Sequence, residues 1–360
     1  MSKKLKPLML GDLRVEIPLI QGGMGVKVST AALASAVAAC GAAGTIAGVG
    51  LGYGTAMNDE DYYRASREAL AVEIVEAKKA TRGVVGVNAM VALCNFDDLV
   101  KTAVAEKADF ISSGAGLPLR LPELAENSPV KLLPIVSSAR AAGVIVKTWK
   151  KRYDRLPDAL IVEGPLAGGH LGFKSEELKP ARQGALEAIV ADVVKMAGEY
   201  RTKSGAGIPV VAAGGVFTGK DMARFIRLGA SGVQIATRFV ATHECSVPDN
   251  FKQAYLKASD EDVVIIDSPV GMPGRALRNK FIDKVSHGEK IPYECTYQCL
   301  KTCDPSAAPY CIAKALFNAA NGDLDNAVIF CGSNVSRVNK IVSVRELIDE
   351  IVNEAVQELG

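Results

Sequence analysis

Glu163-Gly164-Pro165-Leu166-Ala167-Gly168-Gly169-His170 follows directly on the apolar run Ala159-Leu160-Ile161-Val162. A short apolar run that breaks into a Gly-Gly turn reads as a buried strand ending where backbone makes room for a ligand. His170 is one of only three histidines in 360 residues, and at this turn it would face that ligand. The same pattern repeats on both sides. Strand candidates fall at 17–21, 44–47, 84–88, 109–112, 132–136, 159–163, 209–213 and 232–236, with helical stretches between them, for instance 30–39, 59–79, 97–106, 185–201 and 219–228. Eight evenly spaced βα units over the ~250 residues typical of such barrels predict an α/β fold, a TIM (β/α)8 barrel rather than an open doubly wound sheet.

After about Ala241 the rhythm breaks. Val263-Val264-Ile265-Ile266 reads as one more strand, followed by a loop over Ser268–Arg275 and a segment dense in cysteine. Ser343-Val344-Arg345-Glu346 has the form of a capping box, and Leu347, Ile348, Ile351, Val352, Ala355 and Val356 make the apolar stripe of a closing helix. The expected organisation is a barrel over residues 1–245, a C-terminal excursion over 246–342, and a helix over 343–360 packed back on the barrel.

A composition of 49% hydrophobic and 23% charged residues suits a globular chain, and a net charge of +2 argues against a nucleic-acid surface. The uncharged stretch Val28–Asn58 is cut by Gly41, Gly44, Gly48, Gly50 and Gly52, so it reads as a buried helix and strand rather than a membrane span. Lysines at 3, 4 and 6 precede an apolar segment that Gly11-Asp12 ends too early for a signal peptide. The expectation is a cytoplasmic homo-oligomer that binds neither nucleic acid nor membrane.

Barrel active sites lie at the carboxyl ends of the strands. Here those ends carry Gly22-Gly23-Met24-Gly25, Asn88, Ser112-Ser113-Gly114-Ala115-Gly116, Gly168-Gly169-His170, Gly214-Gly215 and the run Gln234–Arg238. Glycines also end strands merely to make turns, but so many on one rim of a barrel point to close backbone approach by a ligand. Ala213-Gly214-Gly215-Val216 and Gln234-Ile235-Ala236-Thr237, after the seventh and eighth strands, sit where barrel phosphate sites recur, which implies a phosphate-bearing cofactor. A histidine in such a place is as a rule either a satisfied core group or a catalytic one; the flanking glycines favour the second for His170. His243 and His287 have no such context.

Pro18-Leu19-Ile20-Gln21-Gly22-Gly23-Met24, Gly86-Val87-Asn88-Ala89-Met90, Val162-Glu163-Gly164 with Ala167-Gly168-Gly169-His170-Leu171-Gly172, Ala212-Ala213-Gly214-Gly215-Val216 and Gly232-Val233-Gln234-Ile235-Ala236-Thr237-Arg238-Phe239 resemble the signature segments of the nitronate monooxygenase (2-nitropropane dioxygenase) superfamily. That superfamily also holds the flavin-dependent enoyl-ACP reductases of fatty-acid biosynthesis. The resemblance runs from about residue 8 to 245 and resumes weakly at Gly274-Arg275-Ala276-Leu277-Arg278-Asn279. It implies noncovalent FMN, with Gly22, Gly23 and Met24 lining the flavin, Asn88 contacting it, and Gly168 and Gly169 near its ring. Gly214, Gly215, Gln234 and Thr237 would hold the phosphate, and His170 would be the catalytic or substrate-polarising histidine.

Two reactions compete within the resemblance. One reduces the C=C bond of an enoyl thioester by hydride from reduced flavin; the other oxidises an alkyl nitronate with oxygen. Gly86-Val87-Asn88-Ala89-Met90-Val91-Ala92-Leu93 looks closer to the reductases, which favours the first. A noncatalytic flavin-binding sensor is the remaining alternative. An acyl thioester would be the substrate, and the basic run Lys147, Lys150, Lys151, Arg152 and Arg155 would either receive an acyl carrier protein or be a solvated helix face. No dinucleotide fingerprint is present, so NAD(P)H as donor would dock directly over the flavin.

Cys295-x3-Cys299-x3-Cys303-x7-Cys311 departs from the family pattern. Four thiolates in so short a span suit a [4Fe–4S] cluster or zinc; alternatively, the spacing of four stacks three of them on one helix face as unligated thiols. A cluster would pass single electrons to FMN in place of, or alongside, a nicotinamide donor.

Overall fold

Eight parallel strands, β1 (Leu19–Gln21), β2 (Gly44–Ala47), β3 (Val85–Met90), β4 (Phe110–Gly114), β5 (Lys131–Val136), β6 (Leu160–Glu163), β7 (Val210–Ala213) and β8 (Gly232–Ile235), run in the hydrogen-bonded order β1-β8-β7-β6-β5-β4-β3-β2 in the computed structural model. The ring closes between β1 and β2: the Gln21 amide donates to Ala43 O at 2.8 Å and the Ala43 amide to Leu19 O at 2.9 Å. The structure describes residues 5–54, 57–178, 185–202 and 205–360; Lys3, Lys4 and positions 55–56 of the Val28–Asn58 stretch lie outside them. The expected barrel is therefore present, strand for strand. Among the described residues no helix is long and apolar enough to cross a membrane.

The barrel interior is filled by Ile20, Phe110, Leu133, Ile161 and Val211, all fully buried. A hairpin that the strand pattern does not reveal, Leu8–Leu10 with Leu13–Val15, adds Leu8, Leu10 and Val15 to this cluster. It stoppers the amino-terminal end, so the interior opens only toward the carboxyl ends of the strands.

The terminal helix Val344–Leu359 packs against the helices Gly219–Arg227 and Ala31–Ala39. These are the neighbours that the helix after β8 has in a (β/α)8 ring. Arg238 pairs with Glu350 at 2.8 Å, and the Gly219 amide donates to Glu354 Oε2 at 2.9 Å. Its capping box is complete: the Glu346 amide donates to Ser343 Oγ at 3.2 Å, and the Ser343 amide to Glu346 Oε2 at 2.8 Å. Ser343→Ala removes one acceptor and one donor, and should lower unfolding free energy by about 1 kcal/mol. Urea melts should show an earlier midpoint with unchanged slope; an unchanged midpoint would mean that the terminal helix is not part of the cooperative unit.

β9 (Val263–Asp267) is the strand expected at 263–266, but the following stretch is only partly a loop. Pro273–Leu277 forms β10, antiparallel to β9, and β10 pairs on its other edge with Gly169–His170, placing Gly274 opposite His170. The Gly-Gly-His turn is thus pinned as the edge of an accessory sheet.

The cysteine segment is not helical, which corrects the one-face stacking of Cys295, Cys299 and Cys303. Its backbone groups are used elsewhere. The Cys94 amide donates to Cys299 O at 3.1 Å and the Lys301 amide to Ala92 O at 2.9 Å, forming an antiparallel bridge to the loop after β3. A segment so short between Pro292 and Pro305 gains more from that pairing than from an isolated helix.

Candidate active site

One cavity of about 260 Å³ occupies the open end of the barrel. Gly22, Gly23, Met24, Asn88, Gly168, Gly169, His170, Gly214, Gly215, Gln234 and Thr237 all line it, so every cofactor-site residue expected from the sequence reaches the same space.

On the floor, the Gly22–Met24 turn is held by the Met24 amide donating to Ser29 Oγ at 2.8 Å. A Cβ on Gly23 would lie 2.4 Å from Asn88 Cβ, so the turn lies directly against the Asn88 side chain. Asn88 is itself oriented by donating to Ser112 Oγ at 3.2 Å.

The opposite wall contains residues for which the barrel pattern gives no role. Cys331-Gly332-Ser333-Asn334 returns from the excursion between the loops after β6 and β8. The Ser333 amide donates to Leu166 O at 3.1 Å, the Gly332 amide to Thr237 Oγ1 at 2.9 Å, and Asn334 Nδ2 to Gly215 O at 2.9 Å. Gly214 and Gly215 have φ of +83° and +104°, a backbone that bends back on itself and that side-chain-bearing residues resist. Ser333 Oγ, in the same segment, is buried with no hydrogen-bond partner among the described residues. An orphaned buried hydroxyl costs about 1–3 kcal/mol unless a ligand satisfies it. The clue in the sequence is the apolar run Ala327-Val328-Ile329-Phe330 ending in small polar residues, the same strand-end pattern as in the barrel.

His170 stands at the rim. Its Nε2 is 2.8 Å from Ser268 Oγ, and Phe330 meets its ring edge-on at 4.9 Å between centroids. Burial pushes the imidazole down to about 4, so it is neutral at physiological pH. Glu163, at the end of β6, is the one carboxyl among the lining residues, and burial pushes it up to about 7. In the sequence Glu163 is only part of a motif; the burial that sets its behaviour shows only in three dimensions. Below these two, Arg275 is buried and donates through Nη1 to Ala167 O, tying β10 to the loop that carries Gly168.

The basic run lies elsewhere. Lys147, Lys150, Lys151 and Arg152 are exposed on the helix Ala139–Tyr153, whose end leads into the start of β6, at the end of the barrel opposite the cavity. Arg155 is committed to Val130 O at 2.7 Å and to Asp158. None of the five lines the cavity. Cys295, Cys299, Cys303 and Cys311 converge on a separate pocket. Among the described residues, no three His, Cys, Asp or Glu side chains are arranged to hold a metal ion.

The nitronate monooxygenase profile matches residues 6–354, nearly the whole chain. The chain belongs to the nitronate monooxygenase family. It is 31% identical over 276 residues to the (3aS,4S,5R,7aS)-5-hydroxy-7a-methyl-1-oxo-octahydro-1H-indene-4-carboxyl-CoA dehydrogenase of Mycobacterium tuberculosis (strain ATCC 25618 / H37Rv), covering 77% of this chain and 67% of that one. A probable nitronate monooxygenase of Staphylococcus saprophyticus is 26% identical over 318 residues, covering 80% and 83%. Among solved structures, FabK from Thermotoga maritima superposes with a TM-score of 0.75 at 29% identity, covering 97% and 94%. A nitroalkane oxidase from Streptomyces ansochromogenes, at 21% identity and a TM-score of 0.72 over 95% and 96%, shares the fold. Membership makes this chain an oxidoreductase, and flavin is the cofactor of the family.

Proposed function

We propose that the chain is an FMN-dependent reductase of the C=C bond of an enoyl thioester. The observation that carries the reading is the composite wall of Gly214, Gly215, Thr237 and Gly332 around the unpartnered Ser333 hydroxyl, facing a glycine floor across a cavity rimmed by a neutral histidine. That wall fits a phosphate: Thr237 accepts from Gly332 and keeps its own proton for a ligand oxygen, and Ser333 supplies a second hydroxyl. Gly22, Gly23, Met24 and Asn88 would then lie along the flavin ring. Bound flavin supplies the hydride.

The chain's own groups position and protonate. A neutral His170 is a hydrogen-bond donor suited to the thioester carbonyl, where negative charge develops as hydride arrives. Held near 4, it is a poor carrier of a full proton at pH 7. Glu163, raised to about 7, is the lining group still partly protonated there, and its protonated form avoids placing a second negative charge beside a reduced flavin. Activity should therefore fall as pH rises through about 7. Glu163→Gln should abolish that limb of the kcat/KM profile; a limb that survives in this variant would exclude Glu163 as its source.

The same shifts govern stability in opposite senses. Glu163, raised above its unfolded value of 4.5, contributes stability that is full below that value and lost as pH climbs through about 7. His170, depressed from 6.5, costs stability as pH falls from 6.5 toward about 4.

Support for the thioester comes from the relative named a carboxyl-CoA dehydrogenase, whose name points to a CoA-linked substrate and to dehydrogenation, and from the likeness to FabK over nearly the whole of both chains. The test is product analysis: anaerobic incubation of flavin-loaded protein with crotonyl thioester and NAD(P)H, read by mass, should give the saturated thioester. Turnover of alkyl nitronate with oxygen and none of the enoyl thioester would replace this reading by the monooxygenase.

A further inference from the structure

Outside the flavin cavity, the chain's other concentration of reactive side chains is the pocket of about 40 Å³ lined by Cys295, Cys299, Cys303 and Cys311. All four are free thiols. They come from one stretch of chain, which is pinned to the loop after β3 by the antiparallel bridge between Leu93 and Leu300.

All four cysteines line this one small pocket, so the irregular segment and the residue that opens the helix Ile312–Ala320 bring their side chains to the same space. No Lys or Arg lines the pocket to balance four thiolates. Cys311 has a different environment. It caps the helix Ile312–Ala320, and the Lys314 amide donates to its sulfur at 3.4 Å.

The size of the arrangement separates the candidate ligands. A single tetrahedral zinc with Zn–S near 2.3 Å needs its four sulfurs about 3.8 Å apart. No such set exists among the described residues. A four-iron cluster puts inorganic sulfide and iron between the thiolates and so accepts a wider set of four cysteines around one pocket. Sulfur ligation also suits iron and sulfide better than any hard cation. We infer that Cys295, Cys299, Cys303 and Cys311 are the four ligands of a [4Fe–4S] cluster, bound in the pocket they line.

The site adjoins the cavity already described. Cys299, Leu300 and Ile312 line both pockets, so a single layer of side chains separates them. The inference does not depend on which acceptor the flavin site reduces.

The experiment is anaerobic purification of the full chain, reconstitution with ferrous iron and sulfide, and assay of iron, acid-labile sulfide, zinc and flavin per chain. About four irons and four sulfides are expected, with an electron paramagnetic resonance signal after dithionite reduction. Cys295→Ser combined with Cys303→Ser should lower bound iron at least tenfold while flavin content and circular dichroism stay unchanged; both positions are accessible enough for the change to leave folding intact. Cys40→Ser, remote from the pocket, should keep full iron. One zinc per chain without sulfide, or a wild-type chain that takes up neither iron nor sulfide, would overturn the assignment. Equal iron in wild type and the double variant would do so as well.

Discussion

Replacing His170 by Ala should lower kcat about 10²- to 10⁴-fold while FMN remains bound at wild-type stoichiometry. The imidazole is held by Ser268 and Phe330, and it is none of the groups proposed to grip the phosphate, so its removal leaves Thr237 and Ser333 in place. Because burial keeps it near 4, its work at neutral pH is that of a neutral hydrogen-bonding group. His170→Gln, which keeps a neutral donor and acceptor, should therefore recover part of the loss. A general acid cycling between charged and neutral forms would make Gln as poor as Ala. Wild-type turnover in His170→Ala with flavin bound would remove the residue from the mechanism.

The second large effect is on flavin binding. A Cβ on Gly168 would lie 2.5 Å from Cys331 C and 2.7 Å from both Cys331 O and Gly332 N. These are backbone atoms, and no rotamer change relieves the contact. Gly168→Ala must push Cys331-Gly332-Ser333 away from Thr237 and Leu166, separating the halves of the proposed phosphate wall. FMN affinity should fall at least tenfold, with a stability loss on the order of 1–3 kcal/mol from overpacking. Equilibrium dialysis and thermal melts read the two effects. Gly143→Ala is the control: the helix Ala139–Tyr153 leaves nothing within 4 Å of the new methyl, so affinity should be unchanged and stability equal or higher by about 0.5–1 kcal/mol. Equal flavin affinity in Gly168→Ala and wild type would mean that the wall does not hold the cofactor.

The barrel was legible because the strands are short and apolar and most of them are closed by glycine, and because strand-end position alone tells which rim carries the site. Gly22, Gly214 and His170 could thus be brought to one cavity without coordinates. What the pattern could not supply came from long-range closure. Ser333 lies nearly a hundred residues beyond β8 in sequence, and nothing local says that its hydroxyl comes to rest near Gly215 without a partner. Glu163 was visible as a residue, but its raised pKa is a property of the low-dielectric cavity around it. The hairpin at Leu8–Val15 was missed because three-residue strands are too short for alternation to register. Spacing alone misled at Cys295, Cys299 and Cys303, where a helical period coincides with a segment whose hydrogen bonds go to the loop after β3.

The central claim is that this cavity delivers hydride from reduced flavin to an enoyl thioester. The most direct measurement is anaerobic stopped-flow of the photoreduced, FMN-loaded protein against crotonyl thioester, followed at the flavin absorbance. The account predicts rapid single-turnover reoxidation with one saturated thioester formed per flavin, slowed at least a hundredfold in His170→Ala. A reduced flavin that is indifferent to the enoyl thioester, in a protein whose oxidised flavin turns over alkyl nitronate with oxygen, would contradict it.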